Sequence, residues 1–295
     1  MWAEPNILVC SDFSLYSDFA LKAAEELRVK TRATVHVLHV AEVPIQWQSP
    51  SVDFLPHYMD EKFDVEVLKV SEKELENRMA KVGLSGEVHV TMGMVYASIQ
   101  EMIKDKHIDL LIMGHKGITN TPFHLGSLAE KMVAASPVPV LVTKRPVSFE
   151  RIAGLIDPTN PLEEIIQVSH ELARLFSSKL EIVALFKDVM THFLGLGKLS
   201  FSTRLLSLSE EQKEEVLHNT RSLIKNLLPA DSHAQIKVEI TIEKQLAYHL
   251  NSILEGDHTS FAVMKRHHAG SLEKLLIGQE TRRMLELFEG SLLIL

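Results

Sequence analysis

The chain is poor in several things that would have fixed its class at once. Among 295 residues there is one cysteine, Cys10, so no intrachain disulfide can form. A reducing compartment is the simplest reading of that scarcity. No basic excess exists either: the formal net charge is −8. Residues 1–147 carry 15 Lys/Arg against 19 Asp/Glu, and residues 148–295 carry 16 against 20, so each half is −4. A nucleic-acid binder needs a basic face for phosphates, and this balance argues against one. No apolar stretch reaches the roughly 20 residues of a membrane-spanning helix. The opening "MWAEPNILVCSDFS" lacks the basic segment and long apolar region of a signal peptide. A cytoplasmic protein without a membrane span is expected. Apolar residues make up 45%, enough for a full core.

What is present is an alternation. "NILVCSD", "ATVHVLHV", "EVHVTMG", "DLLIMG" and "VPVLVTK" read as strands. Between them "SDFALKAAEELRVKT", "DEKFDVEVLKVSEKELENRMAKV", "ASIQEMIKDK" and "GSLAEKMVAA" read as helices. Strand–helix alternation predicts an α/β fold: an open parallel sheet with helices on both faces.

The second half has the same order. Its strands are "RIAGLID", "KLEIVALF", "IKVEITI", "SFAVMK" and "SLLIL". Its helices are "EEIIQVSHELARLFS", "SEEQKEEVLHNTRSLIKNLL", "QLAYHLNSILE" and "LEKLLIGQETRRMLELF". Offsets are nearly constant. Asp12 matches Asp157, and Val35–Val40 match Leu180–Leu185, at an offset of 145; Met113 matches Met264 at 151; Val140–Val142 match Leu292–Ile294 at 152. Two tandem copies of one unit are expected, 1–147 and 148–295, each with five strands.

Ligands of such sheets sit at the carboxyl ends of the strands, where strand order reverses. Asp12 and the run "GHKGITNTPFHLGS", Gly114 to Ser127, fall there. Gly114, Gly117 and Gly126 let a backbone approach a phosphate, and Ser127 stands where a helix should begin. Ser127 could cap that helix or donate to a phosphate; a plain glycine turn with an N-cap fits the same residues. A P-loop is absent, because "GLGKLS" at 195–200 lacks the preceding glycine spacing and strand. His36 and His39 fall on opposite faces of one strand, and His267-His268 have no third ligand, so no metal site is expected. His115 and Lys116 lie between two of the glycines and read as phosphate contacts or as solvent-facing residues. No catalytic residue can be named.

Four segments, "ILVCSDFSLYSDFALKAAEEL", "VHVLHVAE", "DLLIMGHKG" and "LGSLAEKMVAASPVPVLVTK", resemble the universal stress protein family and span nearly all of residues 1–147. The second half resembles it more weakly. The resemblance implies a tandem universal stress protein with strand order 3-2-1-4-5 in each copy. It implies a stress-response binding module, rather than an enzyme, that holds ATP, with or without Mg2+, or a related adenine nucleotide in the N-terminal domain. Residue by residue, Asp12 would contact ribose or adenine, and the Val40 backbone would face adenine. Gly114, beside Met113, would border the ribose. Gly117, Gly126, Ser127 and the Leu128 amide would meet phosphates. Cys10 and Ser11 would flank the base, Cys10 departing from the small or proline residue common there.

The family pattern has nine residues between the second and third glycines; this chain has eight, with Pro122 among them. In the second half, Lys265 and His268 stand where Gly114 and Gly117 would, and Gln279 follows Gly278 in place of the serine. That domain reads as degenerate, without a nucleotide, and as structural or a binder of a partner or ligand. The last strands would pair the copies into an internal pseudo-dimer, and a homodimer is a further possibility. Two other functions stay open: a nucleotide-free stress protein that binds a partner or an apolar ligand, and a slow ATP hydrolase. The apolar connection over 188–206 would cover a ligand or pack between copies.

Overall fold

A computed structural model describes residues 2–42, 61–117, 126–157, 161–188, 209–242, 261–266 and 279–295. The chain divides after Val147 into two compact units.

The first unit runs β1 (Asn6–Cys10), α1 (Leu15–Thr31), β2 (Thr34–Glu42), α2 (Glu61–Val82), β3 (Glu87–Gly93), α3 (Val95–Asp105), β4 (Leu110–Gly114), α4 (Ser127–Ala135) and β5 (Val140–Thr143). All neighbouring strands are parallel, in the order β3-β2-β1-β4-β5. Strands buried on both faces explain the continuous apolar runs. Ile7, Leu8 and Val9 are fully covered, as are Leu111 and Ile112. Each such side chain contributes about 1.5–3 kcal/mol on burial. The chain winds outward from β1 through β2 to β3, then returns to β4 on the other side of β1. The switch point therefore lies between β1 and β4, with Cys10 opposite Met113 in the register.

α1 starts where Ser14 accepts from the Ser17 N–H at 3.2 Å, a side-chain N-cap. It ends on Arg32, whose φ of 59° is left-handed and sends its N–H to the Arg28 carbonyl. The N-cap matters to the site, because it fixes the turn that carries Asp12.

The second unit runs β6 (Arg151–Ile156), α5 (Glu163–Phe176), β7 (Lys179–Asp188), α6 (Glu210–Leu227), β8 (Gln235–Ile242), β9 (Phe261–Met264), α7 (Gln279–Leu287) and β10 (Ser291–Ile294). Its strands are also parallel, in the order β8-β7-β6-β9-β10, the same relative order as in the first unit. α6 opens on a capping box in which Ser209 and Gln212 satisfy each other's backbone N–H groups. The expected helix at 245–255 and most of the apolar connection over 188–206 lie outside the described residues. Among the described residues, no helix is long and apolar enough to cross a membrane.

Candidate functional site

A cavity of about 370 Å³ opens at the carboxyl ends of β1, β2 and β4. All ten candidates from the sequence line it: Cys10, Ser11, Asp12, Val40, Met113, Gly114, Gly117, Gly126, Ser127 and Leu128. Leu38, Val95 and Ile99 add an apolar wall from β2 and α3. The sequence reading missed that wall, because nothing in the helical periodicity of α3 says which turn borders a cavity. The size suits a small organic ligand.

The β1–α1 turn supplies the acid. Asp12 lies two residues beyond β1, and its Oδ1 accepts the Ser14 N–H at 3.0 Å. Phe13 takes a left-handed φ of 63°, a costly conformation for a bulky residue. Three contacts hold it there. The Phe13 N–H donates to Ser11 Oγ at 3.3 Å, its ring stacks on His39 at 4.1 Å, and Arg78 lies over it at 5.4 Å. Arg78 in turn grips both carboxylate oxygens of Asp18 at 2.8 and 2.9 Å. The turn is thus clamped from α2, and Asp12 is aimed by its neighbours rather than by its own strand.

The glycines have unequal jobs. A Cβ on Gly114 would meet Tyr16 Cβ at 2.8 Å and the Tyr16 carbonyl carbon at 2.9 Å. Gly114 is therefore required by the close approach of α1, whatever the cavity holds. A Cβ on Gly117 would instead meet Asp12 Oδ2 at 2.8 Å. Gly126 donates its N–H to the His115 carbonyl at 3.0 Å, and the His115 N–H donates to the Thr143 carbonyl at 2.9 Å. The two ends of the eight-residue segment 118–125, itself outside the described residues, are thereby held beside each other.

Of the two roles open to Ser127, capping and donation to a phosphate, the cap is not the one it takes. Gly126, not Ser127, is the N-cap of α4, with extended φ and ψ of −60° and 134° and no side-chain cap bond. Ser127 is the first helical residue and is exposed. The first intrahelical bond is from the Glu130 N–H to the Gly126 carbonyl. The amides of Ser127, Leu128 and Ala129 therefore come first in the helix, at its positive end and at the cavity rim. A glycine cap leaves that end open where a serine side chain would close it. His115 is buried at 5% exposure, against the solvent-facing reading, with its ring edge-on to Tyr16. Burial, and then the nearby Asp12 charge, push the Cys10 thiol up to about 12, so it stays protonated.

In the second unit Lys265 follows β9, where Gly114 ends β4 in the first. Its Nζ lies 2.7 Å from Glu164 Oε2 in the first turn of α5. His268 and Gly278 lie outside the described residues, and Gln279 begins α7.

A different cluster escaped the sequence reading. His36 of β2 pairs in register with Glu87 of β3, and Leu38 with His89. His36, Glu87 and His89 therefore share one face, and their side chains meet. His36 Nδ1 is 3.2 Å from His89 Nε2 and 3.1 Å from Glu87 Oε2. Comparing His36 with His39 along one strand could not reveal this, since the contact is made across the sheet.

Comparisons with known proteins agree with this architecture. Over 154 residues the chain is 26% identical to the universal stress protein MJ0577 of Methanocaldococcus jannaschii, covering 48% of this chain and 94% of that one. A Pseudomonas aeruginosa protein of unknown function superposes with a TM-score of 0.69 at 18% identity, covering all of this chain and 93% of that one. A universal stress protein of Archaeoglobus fulgidus does so with a TM-score of 0.66 at 16% identity, over 98% and 97%. At such identities these two likenesses concern the fold. Residues 5–144 match the universal stress protein family model, and that part of the chain is one universal stress protein domain.

Proposed function

We propose that residues 1–147 hold ATP or a related adenine nucleotide, and that the chain is a binding module with a second, modified copy of the same domain in residues 148–295. The observation that carries this reading is the convergence of ten residues, from four separate segments, on one cavity beside the open start of α4. The apolar wall of Leu38, Val95 and Ile99 suits a base, and Asp12 suits a ribose hydroxyl. The α4 amides and Gly117 suit phosphates. A helix end contributes about 0.3–1 kcal/mol when exposed and up to ~2 when partly buried. Micromolar affinity needs about 8 kcal/mol, so base and ribose contacts must supply the larger part.

The second copy is supported by the constant sequence offsets and by the repeated strand order. Its lack of a nucleotide is supported by Lys265, which stands at the Gly114 position with its charge engaged by Glu164. Calorimetric titration with ATP, ADP and AMP, together with analysis of nucleotide released on denaturation, tests the reading. One adenine nucleotide per chain is expected, and Lys265→Ala should leave it in place. No binding at millimolar nucleotide would sink it. That outcome would select a nucleotide-free binding protein, a reading favoured by one observation: the packing of Gly114 on Tyr16 needs no ligand to explain it.

A further inference from the structure

We propose that His36, Glu87 and His89 form a site for one Zn2+ ion, with a coordination position open to water, on the first unit's sheet upstream of the nucleotide cavity. Three donor atoms converge there. His36 Nδ1 to Glu87 Oε2 is 3.1 Å, His36 Nδ1 to His89 Nε2 is 3.2 Å, and His89 Nε2 to Glu87 Oε2 is 3.5 Å. A tetrahedral ion with ligands at about 2.0–2.2 Å separates its donor atoms by about 3.3–3.6 Å. The observed triangle matches those edges within a few tenths of an ångström, so a metal would need small side-chain adjustments and no backbone movement. Two imidazoles and a carboxylate are a borderline donor set that suits Zn2+ over Mg2+ or Ca2+. Three protein ligands leave a fourth place vacant, the arrangement of zinc sites that bind a water.

The chemistry of the rings agrees with the geometry. Burial lowers the pKa of both His36 and His89, which leaves them neutral with a lone pair to give. A hydrogen bond between the rings would explain one edge of the triangle only. A hydrogen bond from the His36 ring to Glu87 accounts for a second edge, and one ion accounts for all three edges together. The second unit offers an internal comparison. There the matching positions in the β7–β8 register carry Glu181, Gln235 and Lys237. Glu181 is met by Arg151 at 2.7 Å and Lys237 at 3.6 Å, an arrangement of opposite charges that needs no ion. The first unit has two neutral rings facing one acid instead.

One side chain competes. Lys106 Nζ lies 3.3 Å from Glu87 Oε2, the same oxygen the metal would use. Lys106 and Glu87 are 40% and 57% exposed, so the pair can open toward solvent. Lys106 thereby opposes the ion, and its removal should favour binding. His36 and the cavity-lining Leu38 are two residues apart on one face of β2, so the metal would lie roughly 7 Å from the near wall of the nucleotide cavity, and none of its three ligands lines that cavity. The two sites are separate.

The test is titration of the chelator-treated full chain with Zn2+, read by competition against a chromophoric chelator, and with Co2+, read by visible absorption. One ion per chain and an intense tetrahedral Co2+ spectrum are expected. Glu87→Gln and His89→Gln should each weaken binding by more than the roughly 10–100-fold that loss of an outer hydrogen-bond partner costs a metal site. Lys106→Met should tighten it. His218→Gln, a change at an exposed histidine of α6, should alter nothing. Zn2+ should raise the Tm of the wild type and not that of His89→Gln, which also reports whether the variant folds. Absence of saturable binding by the wild type overturns the proposal. So does binding that survives both ligand changes, or an equal loss in His218→Gln.

Discussion

Gly117 leaves room for Asp12: a Cβ at position 117 would stand 2.8 Å from Asp12 Oδ2, while Asp12 Oδ1 is already engaged by the Ser14 N–H at 3.0 Å. The carboxylate cannot swing away without giving up that bond. Gly117→Ala should therefore act on the cavity through Asp12. If Asp12 contacts ribose, Asp12→Ala and Gly117→Ala should each weaken adenine-nucleotide binding by about tenfold or more, the scale of one charge-assisted hydrogen bond. In the Asp12→Ala background the added cost of Gly117→Ala should shrink, because the group it displaces is gone. A double-mutant cycle by calorimetry measures that coupling. Additive losses would mean that Gly117 serves the phosphates directly.

Gly114 should behave differently, as a stability position. Its missing side chain admits the backbone of α1, with Tyr16 carbon atoms at 2.8 and 2.9 Å and the Ser17 nitrogen at 3.0 Å from an added Cβ. Backbone cannot turn aside, so overpacking of about 1–3 kcal/mol or more is expected for Gly114→Ala. In the second unit, Gly154→Ala would meet Ser169 Oγ at 2.7 Å and Ile182 Cδ1 at 2.8 Å, both side-chain ends. Those can rotate, and Ser169 Cβ at 3.2 Å need give by only a few tenths of an ångström, so Gly154→Ala should cost less. Urea unfolding midpoints of the two variants decide the order.

The strands were legible from sequence where burial is symmetrical. "EVHVTMG" is β3 to the residue, and "DLLIMG" overshoots β4 by one. Apolar runs bounded by turn residues carry that signal locally. The site was half legible. Its residues could be gathered because they lie next to strand ends, which the topology brings together. Their individual duties could not be gathered. Gly114 looks like a phosphate glycine and is needed for packing on Tyr16. Ser127 looks like a cap and stands one residue past it. His36 looks solitary until the register sets Glu87 opposite and His89 two residues on. Each of these depends on which segment lies across from which, and local periodicity does not contain that.

Cys10 should be a slow nucleophile although it lines a cavity. Its thiol is pushed up to about 12, first by burial and then by the Asp12 charge. At pH 8 only about one part in 10⁴ would be thiolate, against roughly a quarter for a free cysteine of pKa about 8.5. Alkylation of the native chain should be slower than that of the urea-unfolded chain by on the order of a thousandfold at that pH. Because Cys10 is the only cysteine, intact-mass spectrometry reads the rate directly. Asp12→Asn should speed labelling yet leave it far slower than in the unfolded chain, since burial is the larger cause. Equal native and unfolded rates would show that the thiol is open to solvent.

Glu26 offers a test of pH dependence on the buried side of α1. Burial raises its pKa above the ordinary 4.5, more than the attraction of Lys22, one turn away, lowers it. A raised carboxyl favours the folded state when protonated. The contribution is full below the unfolded pKa and is lost as pH rises through the folded one. At pH 7 the ionised Glu26 therefore works against folding, and Glu26→Gln should raise the urea midpoint there. As the pH falls below about 4, both chains carry an uncharged side chain and the advantage should vanish. A midpoint difference of the same size at pH 7 and pH 3.5 would mean that the glutamine acts by packing and that the charge of Glu26 costs the fold nothing.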